Sequence, residues 1–168
     1  MRMTDLVPLE GWAALEQEIH ERFGLNARVY DERGFSFTGH TTWGNRLCPA
    51  VKATPAGVSA ICSVAHTALA AEAKANKKTV VEDCDAGLLK ICVPVFKEEE
   101  FVGVVGGCGL LSPDGEIDAF MVEKAAGLSE AQTAELAAEV RRLTPERIEE
   151  AVRWIEDRVA AIVAGQRG

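Results

Sequence analysis

Five cysteines, Cys48, Cys62, Cys84, Cys92 and Cys108, are the only reactive residue type present in quantity. Cys62 and His66 stand four apart in a helical stretch, so they share one face and a single ion could meet both. Cys48 lies in an irregular segment, Cys84 ends a strand before the turn Asp85-Ala86-Gly87-Leu88, and Cys108 sits late in a glycine-rich strand. A fold that joined Cys48, Cys62, Cys84 and Cys108, with His66 as a substitute ligand, would hold a thiophilic metal, zinc or an iron–sulfur centre. No Cys-x-x-Cys pair occurs, so spacing alone does not make such a site. Free cysteine is also a small core residue, and Cys92, inside Ile91-Cys92-Val93, is the clearest packing position.

Asp83 and Asp85 flank Cys84 and offer a base to a thiol nucleophile. Reactive thiols, however, owe their lowered pKa to cations or a helix N-terminus, and these neighbours are acidic. No Gly-x-Ser-x-Gly elbow, phosphate-binding Gly-x-x-x-x-Gly-Lys loop or His-Glu-x-x-His helix is found, and Gly103-Val104-Val105-Gly106-Gly107 misses the dinucleotide spacing. The chemistry points away from an enzyme.

The elements that must position these residues follow from periodicity. Trp12, Leu15, Ile19 and Phe23 mark a helix over Leu9–Phe23, stopped at Gly24. Ala27–Asp31 and Phe35–Phe37, joined by Glu32-Arg33-Gly34, predict a hairpin. Residues 40–55, with Gly44, Asn45, Pro49 and Pro55, read as irregular. Small residues at helical spacing predict a helix over Gly57–Ala75. Three strands follow, Thr79–Glu82, Lys90–Phe96 and Phe101–Leu111, the last two a hairpin across Lys97–Glu100. Glycines inside that last strand mark a bulge or a close approach by ligand or backbone. The C-terminal third is helical: Ile117–Ala126, a helix opened by the Ser129–Gln132 capping box and reaching about Leu143, and a last helix begun by Thr144-Pro145. The predicted class is α+β, an antiparallel sheet with flanking helices and a helical C-terminal region from about residue 116.

At 168 residues the chain reads as one domain, 1–168. Its 18 Lys and Arg against 26 Asp and Glu, a formal charge of -8, exclude direct nucleic-acid binding and an anionic membrane surface. No apolar run approaches the roughly 20 residues of a membrane span, and the start lacks a secretory leader, so the expected location is cytoplasmic.

The run Ile61–His66, then Val80-Val81-Glu82-Asp83-Cys84-Asp85-Ala86-Gly87-Leu88, Val93-Pro94-Val95 and Phe101–Gly107 resembles the PocR sensory domain. Leu47-Cys48-Pro49 matches an earlier cysteine of that family, and Gly127-Leu128-Ser129, Val140–Leu143 and Thr144–Trp154 resemble its C-terminal helices. The resemblance implies a PAS/GAF-like sheet, a signal-input role, and small ligands such as hydrocarbon derivatives, diols among them. By that resemblance Cys48, Cys62 and Cys84 match the family's recurrent cysteines; with Gly87, Gly106 and Gly107 they make the expected ligand site, and the alternative, motivated by Cys108, is a metal or redox centre on Cys48, Cys62, Cys84, Cys108 and His66. Asp85 departs from the histidine expected there, and Cys108 from a frequent glutamine. The implied partners are the small molecule and a signalling output protein or domain, with a possible homodimer through the Trp12 and Trp154 helices.

Overall fold

The computed structural model describes residues 1–165; the last three residues of the expected 1–168 domain lie outside these. In chain order the elements are α1 (Met3–Leu6), α2 (Leu9–Phe23), β1 (Asn26–Asp31), α3 (Leu47–Lys52), α4 (Pro55–Gly57), a π-helical turn (Val58–Cys62), α5 (Ser63–Asn76), β2 (Val80–Asp83), β3 (Leu89–Lys97), β4 (Glu100–Leu110), α6 (Ala119–Ala126), α7 (Glu130–Ala137) and α8 (Pro145–Val163). The four strands form one sheet in the order β1-β4-β3-β2, with every pairing antiparallel. The α+β, PAS/GAF-like class read from the sequence is the class observed.

Helix α2 forms because Trp12, Leu15, Ile19 and Phe23 fall on one face, all buried. Gly24, at φ 74°, ends it by donating its N–H to the His20 carbonyl. Helix α8 starts where the Thr144 hydroxyl accepts the Arg147 N–H and Pro145 opens the first turn. Its buried stripe, Ala151, Ile155 and Val159, joins α2 and the inward residues Val29, Ile91, Val93 and Val95 in the main core. Each fully buried Leu or Ile there contributes roughly 1.5–3 kcal/mol. Strand β3 alternates: Leu89, Ile91, Val93 and Val95 face this core, while Cys92 packs with Leu69 and Ala73 of α5 on the opposite face. The sheet is thus covered on both sides, and the α5 side carries the site.

The outer edge of β1 is closed by side chains rather than by a strand. The Ala27 N–H donates to Thr42 Oγ1 at 2.9 Å and the Val29 N–H to Glu16 Oε1 at 2.8 Å. The predicted hairpin shrinks accordingly: Ser36 makes a single bridge to Tyr30, and Phe35 is exposed. Asp31 Oδ1 accepts the N–H groups of Arg33 and Phe35, which curls the chain away from strand geometry.

Other expectations are corrected. The irregular stretch contains α3, because Pro49 sits in its first turn, where no N–H is required. Helix α7 ends at Ala137 rather than Leu143. There the chain turns to lie beside Leu111, whose N–H donates to the Arg141 carbonyl and whose carbonyl accepts the Leu143 N–H. Trp12 is wholly buried and donates from Nε1 to the Met3 carbonyl, so α2 packs its apolar face on its own sheet. Pro55–Asn76 is one helical run of 22 residues whose most apolar 18-residue window has mean hydropathy 1.2, long and apolar enough by length and composition to cross a membrane, with 33% of that window buried. Alanines interleaved with polar residues reach that average without a contiguous apolar run. Ile61, Ala65, His66, Leu69 and Ala73 are its buried side.

Candidate functional site

Between the sheet and the Pro55–Asn76 helix lie two adjoining spaces. An open groove of about 720 Å³ runs along the helix face that carries Val58, Cys62, His66, Ala70 and Lys74. Beneath it an inner cavity of about 50 Å³ reaches the sheet. Tyr30, Lys52 and Cys62 line both.

The wall of the inner cavity takes Cys48 from α3, Cys62 from the π-helical turn, Cys84 from the β2–β3 turn and Cys108 from β4. Apolar side chains, including Leu47, Val51, Ile61 and Leu88, complete much of it, and Asn26 and Lys90 add polar groups. Two asparagines brace the thiols. Asn45 Nδ2 donates to the Gly109 carbonyl at 2.6 Å and to Cys48 Sγ at 3.3 Å, while its Oδ1 accepts the Cys48 N–H. Asn26 Nδ2 lies 3.9 Å from Cys108 Sγ and its Oδ1 accepts the Gly44 N–H. Gly109 has φ 91°, and a Cβ there would meet Asn26 Nδ2 at 2.5 Å, so both asparagines depend on that glycine. Cys84 is set by a tight turn, its N–H donating to the Leu88 carbonyl and its carbonyl accepting the Gly87 N–H.

Of the other expected ligand residues, Gly87 does not line the cavity. At φ 91° it packs against the Glu116 carbonyl and shapes the turn that carries Cys84. Gly106 lies opposite Arg28 and Cys92 in the sheet, near the Tyr30 ring. Gly107 faces the other way, onto Leu25.

The expected metal centre is not present in the geometry. Among the described residues no group of three His, Cys, Asp or Glu side chains comes close enough to hold an ion. The cysteines are separate positions on a wall, not a ligand cluster, and zinc or an iron–sulfur centre on Cys48, Cys62, Cys84, Cys108 and His66 is ruled out on that ground. His66 follows Cys62 by one turn as expected, but it lines the groove and not the inner cavity. Its ring lies on Tyr30 instead, with centroids 3.7 Å apart and planes 23° from parallel.

Burial governs the titratable groups. It pushes the Cys48 thiol up to about 12, with Cys108 adding to the effect, and raises Cys62 and Cys84 as well. Cys92, wholly inside, is pushed up to about 11. These are neutral thiols, not activated nucleophiles. Burial first, then the charges of Lys90 and Lys52, push His66 down to about 4. Neither ring nitrogen of His66 has a hydrogen-bond partner among the described residues. For Lys90 burial acts downward, while Tyr30 and the thiols of Cys108, Cys92 and Cys62 act upward and prevail.

Lys90 and Tyr30 are site residues that sequence reasoning did not single out. Their signal was the alternation of the strands: Lys90 shares the inward parity of Cys92, and Tyr30 that of Asn26. A family model described as the sensory domain found in PocR matches residues 5–166. No curated protein and no solved structure matches the chain.

Proposed function

The chain belongs to the PocR family of sensory domains, a signal-input and non-catalytic role, and from that premise we propose that it binds a small ligand in the inner cavity and relays its occupancy to an output partner. The observation that supports this most directly is the cavity itself, walled by Cys48, Cys62, Cys84 and Cys108 from four different elements. A mostly apolar hollow with few polar groups is the usual make-up of a small-molecule site. The glycines serve it indirectly: Gly87 holds the Cys84 turn, and Gly106 leaves room beside Tyr30. Five unpaired thiols suit a reducing compartment, the cytoplasm.

Signal transfer requires the ligand to prefer one arrangement of the elements over another. The cavity wall includes Cys62, which closes the π-helical turn at the head of α5. Such turns insert an extra residue into a helix and recur at functional sites. A ligand seated against Cys62 therefore bears on the helix covering the sheet, and through it on a signalling protein, an attached domain or a second copy.

The test is a thermal-shift and native mass-spectrometry panel of small alcohols, diols and carboxylic acids, run beside the Ala65→Leu variant. Ala65 lines the cavity, so the larger side chain fills it. Binding by one panel member that the variant loses is the expected result. No binding at all, or equal binding by the variant, would overturn the reading.

A further inference from the structure

Lys90 is 6% exposed and lines the inner cavity. Its ammonium makes no hydrogen bond and no ion pair with any described residue; Nζ lies 5.5 Å from the centroid of the Tyr30 ring. An ammonium so nearly enclosed, with no counterion beside it, is costly unless the space it faces supplies one. The strand register shows no internal partner: Lys90 pairs with Cys108 on one side and Glu82 on the other. Glu82 is exposed and lines a separate groove with Glu72 and Lys78.

Resting on the sensor reading above, we propose that the ligand is a small carboxylate and that Lys90 is the residue that receives its negative charge. Three observations meet here. Of the two ammoniums on the cavity wall Lys90 is the buried one; Lys52 is half-buried, lines the groove as well and lies over the Trp43 ring. The approach is also favourable, because the outer groove carries Arg28, Arg33, Lys52 and Lys74 against the single acid Glu32, in a chain whose net charge is -8. A cleft of one sign concentrates ligands of the other. The small volume and the apolar wall select a short carbon skeleton.

The experiment compares acids with alcohols of matched skeleton, propionate against propanol and glycolate against ethylene glycol, by calorimetry on the full chain. Each acid is expected to bind at least about tenfold tighter than its alcohol. Lys90→Met is expected to weaken the acid by about 10- to 100-fold, as loss of a charged hydrogen bond does; Glu82→Gln leaves it unchanged. If the alcohols bind as well as the acids, the carboxylate assignment falls while the sensor reading stands. Acid binding that is indifferent to Lys90→Met overturns the role of Lys90. If no compound binds the parent protein, both readings fall. The acid–alcohol comparison on the parent decides the ligand class even should the variant not fold.

Discussion

The imidazole of His66 lies flat on the phenol of Tyr30, 3.7 Å between centroids. One ring belongs to the helix and the other to the edge strand β1, so the stack ties the two layers together above the cavity. Tyr30 lines both spaces and His66 only the outer one. The pair therefore stands at the step between groove and cavity.

Because His66 is held near 4 in the folded chain against an ordinary 6.5, the unfolded chain binds more protons between those values. Stability from this residue is complete above about pH 6.5 and is lost as the pH falls toward 4. The expected loss is about 2–3 kcal/mol. Urea midpoints from pH 7 down to 4 should fall more steeply for the parent than for His66→Phe, which keeps a stacked ring and cannot titrate. Parallel slopes would contradict the assignment.

Glu16 carries the opposite sign. It is fully buried, accepts the Val29 N–H and the Thr38 hydroxyl, and burial raises its pKa. The folded chain then binds more protons above the ordinary carboxylate value, and stability declines as the pH climbs through the raised one. Glu16→Gln keeps an acceptor for Val29 and removes the charge, so at pH 7 it should be neutral or stabilising by up to about 1 kcal/mol. Glu16→Leu orphans both donors and should cost about 2–3 kcal/mol. Denaturant titrations of the two variants provide the comparison.

Two glycines in the expected ligand set should respond differently to alanine. At Gly87 the new Cβ would lie 1.8 Å from the Glu116 carbonyl oxygen, at φ 91°; about 3 kcal/mol of destabilisation is expected. At Gly106 its nearest neighbour is the Ile91 carbonyl oxygen at 3.4 Å, and the change should stay within about 1 kcal/mol. Equal melting temperatures for the two variants would refute the contrast.

Alkylation should find the native thiols slow. With Cys48 pushed up to about 12, its reaction with iodoacetamide at pH 8 should be on the order of 100-fold slower than in denaturant. Mass-spectrometric mapping after timed quenching measures this residue by residue. A fast Cys48 in the folded chain would show that its surroundings favour the thiolate.

Much of this architecture was legible because short-range chemistry and long-range packing agree. Thr144-Pro145 and Ser129–Gln132 start helices by capping their own N–H groups, and the valine-rich runs at Val93–Val95 and Val102–Val105 read as buried strands. Residues 138–143 were harder, since their partner, Leu111, is distant in sequence and nothing local announces a bridge. The site was half legible: the thiols were visible by type, but spacing could not reveal that they surround a hollow without forming a ligand set. Lys90 escaped notice because a lysine at the start of a strand ordinarily reaches solvent. Only the register opposite Cys108, under the helix, denies it that escape.

The side-chain caps on Ala27 and Val29 have a colloidal consequence. A rim strand normally offers unspent donors on which a second chain can add itself in register. Here Thr42 and Glu16 occupy those donors from within the same molecule, so a second chain finds neither open on this border. Removing the Thr42 hydroxyl would reopen it.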